Sequence, residues 1–343
     1  MQVIIPCAGK SSRFPNTRPK YMLTMPDSRM MLQHAADPYI QKGHTVHFVI
    51  VKEHAEQYDA EYAIRHAYGD SVFIHILDDF TSGPAETIYE IVKDWNDTPF
   101  IVNDCDSFFD YDIPTSPFIV YADMHDYPSI NNVAAKSFVI HEDGVVKNII
   151  EKRISSEYIC IGAYGFSSSF HYKVYYELLE IRFHKELFLS HIIKRMLEDD
   201  FIFHSIQGHN YVDCGTYDSF IENMRNHTTI FCDIDGVIFK NQSHHFKNNY
   251  SSEPQPQPKA IQYLKDKLAN GATIIFTTSR PEEYKEITEN GIRATGIEKF
   301  QVLYGLPHSP RLLINDVSTT NPWPSASAIN IPRDDDDYWQ MFK

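Results

Sequence analysis

The sequence predicts an α/β protein of two domains, a larger mixed sheet followed by a smaller Rossmannoid unit, on three observations. Short apolar runs at residues 3–6, 47–51, 72–77 and 100–102 alternate with helical patterns at 55–68 and 85–95, the order of strand and helix that builds a parallel sheet. From Asn132 the pattern turns to extended runs at 133–140, 145–151 and 158–166, which predicts an antiparallel patch. After Asn226 a fresh strand, Phe231-Cys-Asp-Ile-Asp-Gly-Val-Ile-Phe239, opens a second α/β unit.

The elements follow in order. Met1-Gln-Val-Ile-Ile-Pro6 is a strand that runs into the small-residue turn Cys7-Ala-Gly-Lys-Ser-Ser-Arg-Phe14 and then the basic segment Arg18-Pro-Lys-Tyr-Met-Leu23. Asp143-Gly144 between two extended runs is a hairpin signal. Residues 185–198 form an amphipathic helix, and 201–206 and 210–216 return to strand. In the second unit a helix spans 259–269, with Pro258 at its start and Gly271 past its end. A strand at 273–276, a helix from Pro281 and a strand at 312–314 complete it. The domain boundary falls near residues 225–229, dividing the chain into 1–226 and 227–343. Between Phe239 and Pro258 lies a polar loop with a polyproline-like Glu-Pro-Gln-Pro-Gln-Pro stretch, and the acidic run at 334–337 reads as a solvated tail.

At 343 residues and 43% apolar content the chain can bury two cores. No run reaches the roughly 18 apolar residues of a membrane span, which points to a cytoplasmic protein without a membrane partner. Five scattered cysteines lack any Cys-x-x-Cys spacing, so reduced thiols are expected. A net charge of −15 disfavours nucleic acid but allows a small anionic substrate in a locally basic pocket, with a divalent metal as the natural supplement.

The strand-to-loop junction at residues 6–14 presents backbone N–H groups that suit polyphosphate oxygens, with Arg13 and Lys20 beside them; taken alone, it is equally a plain surface turn. The blocks that follow decide between these. The opening resembles that of the sugar-phosphate nucleotidyltransferases, and Ser82-Gly-Pro-Ala-Glu-Thr-Ile88 resembles the family's base-reading turn. Phe100-Ile-Val-Asn-Asp-Cys-Asp-Ser-Phe108 is similar to the strand that ends in its metal-binding aspartate, Gly144-Val-Val-Lys-Asn-Ile-Ile-Glu-Lys152 to its acceptor-phosphate block, Gly162-Ala-Tyr164 to the next block, and Tyr211-Val-Asp-Cys-Gly-Thr216 to the block with the second metal aspartate. The resemblance implies a Rossmann-like nucleotidyltransferase sheet over nearly all of residues 1–226. It implies Mg²⁺ on Asp106 and Asp213, with Asp104 as a further carboxylate counted with the nucleotide site. Ala8, Gly9, Gly83 and Glu86 line the base pocket, Arg13 meets the β,γ-phosphates, Lys20 the transferring phosphate and Lys152 the acceptor phosphate. An acceptor phosphate is largely dianionic at neutral pH and needs positioning rather than a general base. Lys10 and Ser11 replace the usual glycine-rich centre, and Arg153 replaces the proline usual after Glu-Lys.

The second unit resembles the haloacid dehalogenase superfamily. Asp233-Ile-Asp-Gly-Val237 is its first motif and Ile274-Ile-Phe-Thr-Thr-Ser-Arg-Pro281 its second. The resemblance implies Asp233 as nucleophile, Asp235 as acid and base, Thr278 (or its neighbour Thr277) as phosphate-binding hydroxyl, and Asp233, Asp235 and Asp316 around a metal, Asp316 closing Leu312-Leu-Ile-Asn-Asp316. The third motif's lysine has only Lys299 and Arg311 as candidates, and the loop after Phe239 is too short for a cap domain of about 50 residues. Cys232 reads as a small buried hydrophobe and His244-His245 as loop.

Together these imply a bifunctional enzyme that moves a nucleotidyl group from an NTP, CTP or UTP/dTTP, to a phosphorylated sugar or polyol and hydrolyses a phosphomonoester, supplying donors for capsule or other surface polysaccharide. An active transferase with a non-catalytic C-terminal interaction domain, and a nucleotide-sugar-binding regulator, are the alternatives. A homo-oligomer is compatible with all three.

Overall fold

The computed structural model describes residues 1–127, 130, 132–183, 186–242, 250, 253–318 and 325–342. The chain divides into two compact units, Met1–Phe220 and Ile221–Lys343.

The strands of the first unit are β1 (Gln2–Pro6), β2 (Thr45–Val51), β3 (Phe73–Leu77), β4 (Phe100–Asn103), β5 (Ser107–Asp110), β6 (Phe118–Asp123), β7 (Ser137–Glu142), β8 (Val145–Glu151), β9 (Tyr158–Phe166), β10 (His204–Gln207) and β11 (His209–Asp213). Its helices are α1 (Met31–Gln41), α2 (Lys52–Tyr58), α3 (Ala60–Tyr68), α4 (Pro84–Val92), α5 (Ser169–Phe183) and α6 (Leu189–Glu198), with α7 (Tyr217–Asn226) crossing the division between units. The main sheet runs β3-β2-β1-β4-β9-β6-β10-β8-β7. β3, β2, β1 and β4 are parallel, whereas β9 is antiparallel to both β4 and β6. Six consecutive residues of β2, Val46 to Val51, are buried, the continuous burial expected of a strand covered on both faces. Alternate side chains of β1 serve opposite layers: Ile4 packs with α4, α5 and α6, while Val3 and Ile5 pack with α1 and α3.

Asp143 and Gly144 take φ of 49° and 75°, so two left-handed residues close the β7–β8 hairpin as the sequence predicts. Other expectations shift. The single helix at 55–68 is two, because Asp59 turns left-handed (φ 51°) and ends α2 where α3 begins. The extended run from 133 starts with a 3₁₀ turn, Val133–Ala135, entered through left-handed Asn132, and β7 begins only at Ser137. The helix expected over 185–198 begins at Leu189, and Lys185 lies outside the described residues. The strand expected over 210–216 is β11, which pairs with β5 in a separate two-stranded ladder. Among the described residues no helix is long and apolar enough to cross a membrane.

The second unit has parallel strands β12 (Thr229–Asp233), β13 (Thr273–Thr277) and β14 (Gln301–Leu303) in that order, with α8 (Pro258–Ala269) and α9 (Lys285–Ala294). Cys232, Ile234, Ala260, Leu264, Ile274, Phe276 and Ile292 form its core. The strand expected at 312–314 is not formed: Leu312, Leu313 and Ile314 are 81%, 47% and 83% exposed and outside the ladders, and β14 is the third strand instead. Arg311 folds back on the carbonyls of Pro307 and Ser309, which bends the segment ahead of that apolar run.

The acidic run is not a free tail. Asp336 accepts the backbone N–H groups of Lys259 and Ala260 at 3.0 Å each, capping an α8 whose own N-cap residue, Gln257, offers no side-chain bond. Asp337 pairs with Lys259, and Trp339, 7% exposed, packs against Tyr263 with ring centroids 4.9 Å apart. All five cysteines are free and buried.

The distant cap predicts a graded loss of stability in the second unit. Asp336→Ala removes a helix cap and costs about 1 kcal/mol, whereas Trp339→Ala opens the core and costs about 3–5 kcal/mol. Urea denaturation of the full chain reads both; an Asp336→Ala midpoint equal to wild type would show that the cap contributes nothing.

Candidate active site

The parallel register Ile4↔Val102 sets β1 and β4 side by side, so the loop after β1 and the Asp104-Cys105-Asp106 segment after β4 meet at the carboxyl edge of the sheet, where open α/β sheets hold ligands. Asp106 leads into β5, whose first residue, Ser107, pairs with Asp213 at the end of β11. The Cys214 N–H donates to the Asp106 carbonyl at 2.8 Å. This ladder brings Asp106 and Asp213 together across about 100 residues of sequence. A Cβ on Gly215 would stand 3.1 Å from Asp213 Oδ1 and 3.2 Å from Asp106 Oδ2, so both carboxylates face one point.

Each aspartate has its own lysine. Lys20 Nζ bonds Asp106 Oδ2, and Lys136 Nζ lies 2.7 Å from Asp213 Oδ2 and 3.0 Å from Tyr211 Oη. Asp213 Oδ1 also accepts the Gly215 N–H at 2.9 Å. Burial alone would lower both ammoniums, but Asp106 together with Cys105 and Asp104 overcomes it at Lys20, and Tyr211 with Asp213 overcomes it at Lys136, so both lysines hold their protons more tightly than usual. Burial would raise Asp106, yet Lys20 holds it below the ordinary carboxylate range, with smaller help from Lys136 and Arg13. Asp104 goes the other way: burial, with Asp106 adding, pushes it up to about 7. Gly162 makes room for it, because a Cβ there would stand 2.7 Å from Asp104 Oδ2 and the residue takes φ 103°.

Ser11 sits at φ 49°, a conformation glycine adopts without strain, and its hydroxyl accepts the Lys20 N–H at 3.1 Å. The serine that replaces glycine in this loop therefore anchors the lysine. Arg13 is exposed on the same loop, Ala8 is buried and Gly9 has open space around it. Gly83 and Glu86 lie in one turn, where Glu86 accepts the Ser82 N–H at 2.5 Å and Gly83 approaches Leu187 so closely that a Cβ would be 2.8 Å from its carbonyl oxygen. Lys152 is set apart from the aspartates in its contacts: its ammonium lies 3.7 Å from the Phe188 ring centre and 3.9 Å from Glu151.

Lys136 escapes sequence reasoning. It belongs to no motif, and only the β7 register and the turn before it deliver its ammonium to Asp213. Two carboxylates facing one point form an all-oxygen donor set that fits a hard divalent cation sharing its remaining positions with phosphate oxygens. Among the described residues no group of three or more His, Cys, Asp or Glu side chains could hold a metal by itself.

In the second unit Asp233 ends β12 and Asp235 follows it. Asp235 is gripped at both oxygens by Arg280, Nε to Oδ2 at 2.9 Å and Nη2 to Oδ1 at 2.6 Å. The Arg280 side chain is 1% exposed and also donates to Thr288 Oγ1 at 3.0 Å. Thr278 Oγ1 accepts the Arg280 N–H at 3.0 Å, so the predicted phosphate hydroxyl holds up the clamp. Partial burial, with Asp235 adding, raises the Asp233 carboxyl, against which the charges of Arg311 and Arg333 act. Asp316 lies on the exposed segment after the unformed strand and does not gather with Asp233 and Asp235 into a metal-holding group, because the ladder that would bring it there is missing. His244-His245 lies outside the described residues. The clamp by Arg280 has a sequence signal only in its place two residues after Thr278, and Arg333 has none.

No family model matches the sequence, and no curated protein matches it. Solved structures do resemble it. A nucleoside-diphosphate-sugar pyrophosphorylase from Vibrio cholerae RC9 aligns with TM-score 0.55 and 19% identity over 65% of this chain and 98% of its own. An inositol-1-phosphate CTP transferase from T. maritima aligns with TM-score 0.53 and 14% identity over 64% and 90%. A UDP-glucose pyrophosphorylase complexed with UDP-glucose aligns with TM-score 0.50 and 17% identity over 64% and 96%. At these identities the likeness establishes a shared fold for the N-terminal part of the chain.

Asp104 makes stability depend on pH. Its folded carboxyl ionises near 7, above the unfolded value of about 3.9, so the folded state binds the extra proton and stability falls as pH rises from about 4 through 7. Asp104→Asn removes that slope. Thermal melts of divalent-free protein from pH 5 to 8 check it: a wild-type decline that the variant shares in full would assign the slope to other groups.

Proposed function

We propose that the N-terminal unit transfers a nucleotidyl group from a pyrimidine NTP, CTP or UTP/dTTP, to a phosphorylated sugar or polyol, releasing pyrophosphate. The observation that carries this reading is the convergence of Asp106 and Asp213, with Lys20 and Lys136 upon them, at the carboxyl edge of the sheet. The fold shared with a UDP-glucose pyrophosphorylase and an inositol-1-phosphate CTP transferase supports the substrate class. Asp106 and Asp213 would hold Mg²⁺, which neutralises phosphate oxygens when bound. The acceptor phosphate oxygen forms its bond to the α-phosphorus as the bond to the β-phosphate oxygen breaks. Lys20 screens the transferring phosphate and exposed Arg13 the departing pyrophosphate, while Lys136 beside Asp213 and Lys152 beside Phe188 are the cations available to the acceptor. Ala8, Gly9, Gly83, Glu86 and Asp104 are assigned to the nucleotide. The product class is an activated donor for surface polysaccharide.

For the C-terminal unit we propose phosphomonoester hydrolysis with Asp233 as nucleophile, Asp235 oriented by Arg280, and an open site without a cap domain. The reading as a non-catalytic interaction unit is favoured by one observation: the guanidinium occupies both oxygens of Asp235, and Asp316 joins neither aspartate in a metal-holding group.

Pyrophosphate release across a panel of NTPs and sugar or polyol phosphates tests the first proposal. One pyrimidine pair turns over, chelation of divalent cations stops it, and Asp106→Asn or Asp213→Asn lowers kcat/KM by about 10²-fold or more. Folded, magnesium-supplied protein that turns over no pair sinks the proposal. Hydrolysis of generic phosphate esters separates the readings of the second unit: a rate that Asp233→Asn abolishes supports the phosphatase, and equal background rates support the interaction unit.

A further inference from the structure

Two lysines of the first unit compete for the acceptor phosphate, and they leave the same end of one hairpin. Ser137 pairs with Glu151 across β7 and β8, and the Lys152 N–H donates to the Lys136 carbonyl at 3.1 Å. From that common base the side chains part. Lys136, 19% exposed, reaches Asp213 Oδ2 at 2.7 Å and Tyr211 Oη at 3.0 Å. Lys152, 42% exposed, sets its ammonium 3.7 Å from the Phe188 ring centre and 3.9 Å from Glu151 Oε1. Neither Phe188 nor Glu151 belongs to the β5–β11 ladder that brings the facing aspartates together.

The place of a charge decides what it can do for the transfer. Two phosphates meet where Asp106 and Asp213 face one point, and a cation screens their repulsion more strongly the closer it stands. Lys136 sits on one of those two carboxylates. An ammonium carries three N–H donors; at Lys136 two are spent on Asp213 and Tyr211, and the third is left for an oxygen at the site. The backbone fixes the residue as well: its N–H donates to the Val133 carbonyl at 3.0 Å while its carbonyl accepts from Lys152. The Lys152 ammonium instead rests on an aromatic face, where its charge is directed at the ring. We infer that Lys136, and not the motif lysine Lys152, binds the acceptor phosphate, a dianionic monoester, beside Asp213. The inference deepens the proposed nucleotidyl transfer and rests on it.

Lys136→Met and Lys152→Met, which keep an aliphatic stem and remove the charge, test it in two arms. With the NTP and acceptor that turn over, Lys136→Met is expected to raise KM for the acceptor about tenfold or more and KM for the NTP less than about twofold, while Lys152→Met moves neither beyond about threefold. A purely structural role of Lys136 raises both KM values together, and that result overturns the inference. So does Lys152→Met raising the acceptor KM by about tenfold, a comparison that stands even where Lys136→Met does not fold. The second arm needs no turnover: inorganic phosphate is titrated calorimetrically into the full chain supplied with magnesium. Wild type and Lys152→Met are expected to bind alike and Lys136→Met about tenfold or more weakly, a difference that belongs to the first unit because the second is the same in all three proteins. Phosphate binding equal in all three, or absent from wild type, overturns the inference. A phosphate site that depends on Lys136, in a protein that turns over no pair, overturns the transfer reading alone.

Discussion

The short ladder between β5 and β11 is the constraint on which the candidate site depends. Ser107 and Asp213 are partners in it, and the Asp106 carbonyl closes it by accepting the Cys214 N–H. Backbone hydrogen bonds therefore bring the two aspartates together, and Lys20, Lys136 and the Gly215 N–H hold their carboxylates facing one point. Such pairing tolerates little drift, because slippage by a single residue would turn Asp213 to the other face. The main sheet supplies the other half of the geometry. Parallel β1 and β4 end at the same level, which puts the Ser11–Lys20 anchor beside Asp106.

Electrostatics then become a local matter. The chain is strongly acidic, yet the site brings two lysines to three aspartates, and the members of that cluster divide in character. Asp106 is held ionised by Lys20, whereas Asp104, desolvated and beside a like charge, keeps its proton to about neutrality. Two lysines balance two carboxylates, and the third carboxyl holds its proton up to about neutral pH instead of adding an unpaired buried charge throughout the acid range. In the proposed transfer the same two lysines would supply the cationic lining, without a basic protein.

The second unit is organised around a different charge pair. Arg280, almost fully buried, spends its fork on Asp235 and its remaining nitrogen on Thr288, which ties the loop after β12 to the loop after β13 and to α9. Breaking one partner of such a pair leaves a buried charge, so the clamp is structural whatever chemistry Asp233 performs. The C-terminal segment adds a second tie, with Asp336 on the first turn of α8 and Trp339 in the core.

The sequence alone determined what local chemistry dictates. The strands of the parallel core, the Asp143-Gly144 turn, the Pro258 helix start and the succession of α/β, antiparallel and α/β segments are written in side-chain periodicity and in residues that tolerate one backbone conformation. Motif order also picked out Lys20, Asp104, Asp106 and Asp213, which the fold brings to one place. Tertiary structure decided the rest. Lys136 reaches Asp213 from another hairpin, Arg280 chooses Asp235 over solvent, Asp336 caps a helix that begins 78 residues earlier, and the apolar run at 312–314 fails to pair. In each case the partner is distant along the chain, and periodicity within a short window carries no information about a contact that only the closing of the fold creates.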